Sequence, residues 1–257
     1  MHIRQTKLLD IVNREQKISV TELAHRLGVS EVTIRKDLTS LEQKGLLHRE
    51  HGFAVMSATD DVLHQLSFNY ERKQRIAVMA AKTIKSGETV MLGDGACCTL
   101  LAEEIVLHKS DVTIITNSAF LASFVRKYPN AHVILLGGEY QNDAQVLVGP
   151  LIKDYAARFS VDKLFVSPDG FNEKGFMVAD LMRSEAIRAI AENAGNVIVL
   201  AEGATLNRKS HVLAFSLEEV ACVYTDDLLE REVLTLLEEH EVPTEVLPPP
   251  LTTAVRN

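Results

Sequence analysis

The sequence predicts an α/β protein in two parts: an N-terminal winged helix-turn-helix domain and a larger α/β domain on a mostly parallel sheet. Three observations carry that prediction. Residues 19–38 read as two capped helices joined by a glycine turn. From residue 71 onward, short apolar runs alternate with helical segments, the pattern of strands joined by helical crossovers. Charge also divides unevenly. Residues 1–56 hold nine Lys/Arg against seven Asp/Glu, a balance of +2, and four of the nine histidines. The remainder carries eighteen basic against twenty-eight acidic residues, so a weakly basic head joins an acidic body in a chain of net charge −8.

In the head, Leu8, Leu9, Ile11 and Val12 predict a first helix to pack against. Ser19 and Glu22 have the spacing of a capping box, so a helix starts at Val20, with Leu23, Ala24 and Leu27 on its apolar face. Gly28 stops it. Ser30 caps a second helix whose buried face is Ile34, Leu38 and Leu41. Residues 46–56 then form a hairpin-like wing turning at Gly52. An ordinary helical hairpin with a solvated face would share the helix pattern, but the preceding helix and the wing favour a DNA reader. Its partner is double-stranded operator DNA. Thr21, Ser30, Glu31, Thr33, Arg35, Lys36, Arg49 and His51 are the expected DNA-facing residues. Arg35 is best placed for guanine O6/N7, with Lys36, Arg49 and His51 nearer the phosphates. A balance of +2 is weak for one copy, so a homodimer or homotetramer is expected.

Residues 57–70 lack clear periodicity and hold the expected boundary, with a linker of 58–72 between a head of 1–57 and a body of 73–250. A helix is predicted from about Glu71 to Ile84. Strands follow at Thr89–Leu92, Val112–Thr116, His132–Leu136, Lys163–Ser167, Asn196–Ala201, Ala221–Thr225 and Glu245–Leu247. Helices are predicted at Cys98–Leu107, Ala119–Lys127, Pro150–Arg158, Ser184–Asn193 and Leu228–Glu239. The strand ends carry the candidate ligand residues: Asp94, Gly95, Ala96, Cys97, Cys98 and Thr99; Asn117 and Ser118; Gly137 and Gly138; Asp169 and Gly170. Ligands of open α/β sheets sit beyond such ends, where glycines and helix N-termini expose N–H groups to an anion. A phosphate-bearing ligand is the expectation. Cys97 and Cys98 are open to two readings, as thiols acidified by a helix start or as small core residues. No apolar stretch approaches the ~18 residues of a membrane helix. Three cysteines, two of them adjacent, argue for a reducing cytoplasm. No cofactor or metal site is expected.

The run "VSEVTIRKDLTSLEQKGLLHREHGFAV" resembles the DNA-binding signature of the DeoR family of bacterial transcriptional regulators, through Thr33, Ile34, Arg35, Lys36, Asp37, Leu38, Leu41, Gly45, Arg49 and Gly52. Phe53 stands where that family usually has a second glycine. The body is similar to the family's sensor domain through Lys73 with "IAVMAAKTIKSGETVMLGDG", "TIITNS", "ILLGGEY", "VGP" and "LFVSPDGFNEKGF". The resemblance implies a fold shared with ribose-5-phosphate isomerase and CoA-transferase-like proteins. It also implies a repressor of a carbohydrate-utilisation operon, released by a phosphorylated sugar or polyol. Two loops depart from the family pattern. The first phosphate loop keeps a hydroxyl only at Thr99. Thr205 replaces the lysine of the family's "D-S-S-K" motif. Arg183 or Arg188 of "MRSEAIRAI", with Glu185 between them, is the expected replacement for that charge, and Arg208–Lys209 a second candidate pair. The alternative function is a sugar-phosphate-binding, isomerase-like enzyme with an appended head, using Asp94, Asp169 and Glu185 for proton transfer. The DNA head and the lost lysine argue against turnover. A protein-interaction adaptor, the third reading, predicts no salt-dependent DNA affinity.

Overall fold

Ser19 and Ser30 begin the two helices that organise the first part of the chain. The computed structural model describes residues 3–56 and 61–249, and the chain divides into two units, Met1–Glu71 and Arg72–Asn257. The first contains α1 (Ile3–Glu15), β1 (Lys17–Ser19), α2 (Val20–Leu27) and α3 (Glu31–Gln43). Ser19 Oγ accepts from Glu22 N at 3.1 Å and Ser30 Oγ from Thr33 N at 3.3 Å, each satisfying a donor that a helix start leaves open. The Glu22 carboxylate turns to Arg26 at 2.7 Å rather than back to Ser19. Gly28 ends α2 in the left-handed region at φ 66°. Leu8, Leu9, Leu23, Ile34, Leu38 and Leu41 are fully buried between the three helices.

The wing is a hairpin of β2 (His48–Glu50) and β3 (Phe53–Val55), with β1 as a third, antiparallel strand beside β3. His51 and Gly52 both have positive φ, 37° and 88°, as a two-residue type I′ turn requires. Phe53 is already in the strand opposite Glu50, with the Lys17 ammonium 5.3 Å from its ring centroid. Part of the expected linker is helical: α4 (Asp61–Ser67) belongs to the first unit, and Asn13 Nδ2 donates to Ser67 O at 2.9 Å. Two turns are too short to show a periodicity in sequence. Residue 57 at the expected end of the head, residues 58–60 of that linker, and residue 250 at the expected end of the body lie outside the described residues.

α5 (Tyr70–Ala81) runs into the second unit, one residue earlier at its start than predicted and three shorter at its end. There follow β4 (Thr89–Leu92), α6 (Ala96–His108), β5 (Thr113–Thr116), α7 (Ala119–Val125), β6 (His132–Leu135), β7 (Glu139–Gln141), β8 (Val146–Val148), α8 (Pro150–Ala156), β9 (Val161–Val166), β10 (Gly170–Asn172), β11 (Gly175–Val178) and α9 (Leu181–Ala191). The chain continues through β12 (Ala194–Leu200), α10 (Gly203–Leu206), β13 (Val212–Phe215), β14 (Val220–Asp226), α11 (Arg231–Glu239) and β15 (Thr244–Leu247). Seven strands form one parallel sheet in the order β15-β14-β12-β9-β4-β5-β6. Their near-continuous apolar runs suit strands covered on both faces. Met91, Ile115, Leu164 and Val199 from four of these strands are fully buried.

From β4 the chain builds outward through β5 and β6. It then returns to the other side of β4 as β9 and continues outward through β12, β14 and β15. The strand order therefore reverses between β4 and β9, which is where an open α/β sheet leaves a crevice beyond its carboxyl ends. Two smaller antiparallel groups, β10-β11-β13 and the hairpin β7-β8, were not expected from the sequence.

Candidate functional site

Six of the eight predicted DNA-facing residues are linked by hydrogen bonds on the exposed side of α3. Thr21 Oγ1 donates to Glu31 Oε1 at 2.7 Å, and Glu31 Oε2 accepts from Arg35 Nη2 at 2.8 Å. The Thr39 hydroxyl donates to Arg35 O and accepts from Arg49 Nη1, both at 2.8 Å. Arg49 also grips both oxygens of Glu42, through its backbone N at 2.9 Å and its Nε at 2.8 Å. This ties the wing to α3. The Ser30 and Thr33 hydroxyls share a hydrogen bond of 3.0 Å. Lys36 and the turn residue His51 are exposed. Asp37, part of the signature, faces inward: it is buried and accepts from Arg4 and Gln5. The sequence reading missed Val32, which is 62 % exposed on the first turn of α3. Its place off the Ile34–Leu38–Leu41 face was the available signal. An apolar side chain there suits a thymine methyl group.

In the second unit, Asp94 follows β4 and Asp169 follows β9, so the two carboxylates flank the reversal of strand order. Arg183, on the first turn of α9, spans them. Its Nε and Nη2 lie 2.9 and 2.6 Å from Asp94 Oδ2, and its Nη1 lies 2.9 Å from Asp169 Oδ2. The two carboxylates raise the guanidinium pKa further, against the opposing effect of burial. Asp180 sets the first turn of α9, accepting from Arg183 N at 3.0 Å and from Gln141 Nε2 at 3.1 Å. These hydrogen bonds hold the Asp180 carboxyl below the usual range. The sequence reading missed Asp180, although its spacing from Arg183 is that of an N-cap.

Beside Asp94, Gly95 enters α6 with φ 97° and no side-chain cap. A Cβ at Gly95 would lie 2.7 Å from Ser167 Cβ, so only glycine lets the β4 and β9 loops approach this closely. At the next strand end Asn117 is 2 % exposed. Its Nδ2 donates to Leu147 O at 3.0 Å, and its Oδ1 has no hydrogen-bond partner among the described residues. Ser118 caps α7 through Leu121 N, and Thr99 donates to Gly95 O.

Several expectations change here. Cys97 and Cys98 are core residues. Burial, with the Glu202 carboxylate adding to it, pushes the Cys97 thiol up to about 12, and burial holds Cys98 well above its ordinary range. A helix start does not acidify a thiol that is cut off from water. Gly138 and Gly170 answer to packing: a Cβ would lie 2.5 Å from Val148 O in the first case and 2.6 Å from Arg208 O in the second. Gly137 is pressed by the Tyr155 ring in the same way. Glu185 is on the exposed side of α9, away from Arg183. Arg188 pairs with Glu219 at 2.9 Å and donates to Ala214 O. Arg208 and Lys209 are exposed, and Arg208 O pairs with Phe171 N. Of the candidate cations, Arg183 alone joins Asp94 and Asp169. At the ends of β12 and β14, Lys73 forms a buried ion pair with Glu202 at 3.0 Å, and Arg72 bridges Asp226 and Asp227.

A winged helix-turn-helix head, together with an α/β unit that carries a charged cluster at the switch point of its sheet, defines a DNA-binding regulator with a second, larger domain. The family model "DeoR-like helix-turn-helix domain" matches residues 4–59 and "DeoR C terminal sensor domain" matches residues 45–227. The chain belongs to the DeoR family of transcriptional regulators. It is 28 % identical over 249 residues to the HTH-type transcriptional regulator GolR of Listeria innocua, covering 95 % of this chain and 97 % of the relative. It is 27 % identical to the glycerol-3-phosphate regulon repressor of Escherichia coli, covering 95 % and 98 %. To the lactose phosphotransferase system repressor of Staphylococcus aureus it is 28 % identical, covering 91 % and 96 %. These relatives are named as regulators or repressors rather than enzymes. Ribose 5-phosphate isomerase A of Methanocaldococcus jannaschii is similar at a TM-score of 0.40 and 20 % identity, over 55 % of this chain and 56 % of that one. At that level no activity is transferred. Among the described residues no helix is long and apolar enough to cross a membrane.

Proposed function

We propose that this chain is a cytoplasmic repressor of a carbohydrate-utilisation operon, released from its operator by a phosphorylated sugar or polyol. In this reading residues 1–57 read DNA, 58–72 link, and 73–250 sense the effector. Arg35 contacts guanine. Thr21, Ser30, Glu31, Thr33 and Lys36 lie along the groove, and Arg49 and His51 approach phosphate from the wing. A head of charge +2 gains from a second copy, so the working form is a homodimer or homotetramer. The effector binds beyond the carboxyl ends of β4, β5 and β9, over the Asp94, Asn117 and Asp169 loops. Phosphate lies toward the uncapped start of α6, where backbone N–H groups and the helix dipole favour an anion. To release DNA, the effector must bind the DNA-free state more tightly than the DNA-bound state.

The observation that carries the effector half is the Asp94–Arg183–Asp169 triad across the switch point. It supports sensing better than turnover, because both acids are engaged by one guanidinium and Glu185 is not beside them. The test uses duplex DNA from upstream of the gene, bound by the purified chain and challenged with a panel of sugar and polyol phosphates. Release by one of them, and not by its unphosphorylated parent, is the expected result. Isomerisation of ribose 5-phosphate well above background would favour the enzyme instead.

A further inference from the structure

We infer that Val32 is a specificity residue of α3: it packs on the C5 methyl group of a thymine in the operator, beside the guanine read by Arg35. The inference rests on the DNA reading above and adds a second base and its position to it.

At 62 %, Val32 is more exposed than any other large apolar side chain among the described residues. It stands on the first turn of a helix whose opposite face is fully buried. Ile34, Leu38 and Leu41 form that face. Val32 precedes Ile34 by two residues, which turns it about 200° away at 3.6 residues per turn. Helix stability gives no reason for a valine at this position. A β-branched side chain loses rotamer freedom in a helix and is a poorer helix former than alanine or a long polar residue. Here it is also left in water. In a helix-turn-helix, however, the first turns of the second helix are the ones that meet base edges.

The polar groups around Val32 are engaged with one another. Ser30 Oγ holds Thr33 N and shares a hydrogen bond with the Thr33 hydroxyl, and Glu31 is held between Thr21 and Arg35. Lys36, one turn further along the same side, is exposed and suits a phosphate. Val32 therefore offers the groove an apolar surface and nothing else. The major groove has one apolar feature, the thymine methyl group; the other bases present donors and acceptors there. Contact between the two removes both from water. Arg35 follows Val32 by three residues, so their Cβ atoms are about 5–6 Å apart. Bases on one strand are spaced about 3.4 Å apart, which sets the thymine and the guanine within about two base pairs of each other.

The test replaces each thymine of the bound upstream duplex by uracil, one at a time, and measures the affinity of the full wild-type chain and of Val32→Ala by fluorescence anisotropy. Uracil pairs as thymine does and lacks only the methyl group. At one thymine of each half-site the wild type loses about fourfold in affinity, the worth of one buried methyl group. Val32→Ala binds the parent duplex more weakly by a similar factor and is indifferent to uracil at that position. A base-pair scan with Arg35→Ala locates the guanine, and the thymine lies within about two base pairs of it. A thermal melt matching the wild type shows that Val32→Ala is folded, as an exposed side chain predicts. Uracil losses equal in both proteins at every position, or a Val32-dependent thymine remote from the guanine, overturn this inference and leave DNA reading by α3 standing. No binding of the upstream duplex at any salt concentration removes the DNA reading and this inference with it.

Discussion

Arg35 and Arg183 are both held by carboxylates, yet those carboxylates do different work. Around Arg35 the pair with Glu31 is exposed and contributes little to stability, so Arg35 can exchange Glu31 for a base edge. Arg35→Ala should cost about 1–3 kcal/mol of operator binding and relax sequence preference, read by fluorescence anisotropy on the operator and on scrambled duplex. Equal binding to both before and after substitution would remove Arg35 from the reading role. Asp180 affects stability instead. Asp180→Ala removes an N-cap and should cost about 0.5–2 kcal/mol in denaturant unfolding. Its carboxyl lies below the usual range in the folded chain, so the wild-type advantage is fully present above the unfolded carboxylate pKa. It fades as pH falls through the folded one. The difference between wild type and Asp180→Ala should therefore shrink on acidification below about pH 4. At Cys97 and Cys98, burial predicts no alkylation of the native chain by iodoacetamide at pH 8 and full labelling once unfolded, as read by peptide mass spectrometry. Rapid native labelling would return them to the reactive class.

At the scale of elements, the sequence signals that worked had length behind them. β4 matches the predicted Thr89–Leu92, and the other parallel strands fall within three residues of their predicted ends, because buried strands read as apolar runs bounded by turn residues. α2 and α3 were legible from Ser19, Gly28 and Ser30, which start and stop the helices as predicted, although Glu22 pairs with Arg26 and does not close the expected box with Ser19. β1, β7, β8 and β10 have three residues each, too few to show an alternation. The β10-β11-β13 layer was lost with them, and with it the means of knowing that Asp169 and Arg183 meet. Asp94 and Asp169 could be named from their strand ends. Which arginine served them depended on the turn of α9 and the Asp180 cap, and no run of residues announces that pairing. The close approach of the β4 and β9 loops has its own test. Gly95→Ala sets a Cβ 2.7 Å from Ser167 Cβ at φ 97° and should destabilise the chain by more than about 1 kcal/mol in denaturant unfolding. An unchanged midpoint would mean that the two loops can separate freely.

For the whole molecule, the charge division remains the simplest feature read from sequence. A head at +2 and a body at −10 make the body unfavourable to phosphate and leave DNA contact to the head. The many ion pairs within the head, Arg26 with Glu15 and Glu22 and Arg49 with Glu42 among them, reduce its reach further, so a single copy is a weak binder. The measurement that bears most directly on the account is an anisotropy titration of labelled upstream duplex with the full chain, carried through a salt series and then challenged with the phosphorylated sugars and polyols. The account predicts affinity that falls steeply with salt and a complex that one phosphorylated compound dissolves while its unphosphorylated parent does not. Binding that ignores salt, or a complex that no phosphorylated compound releases, would contradict it.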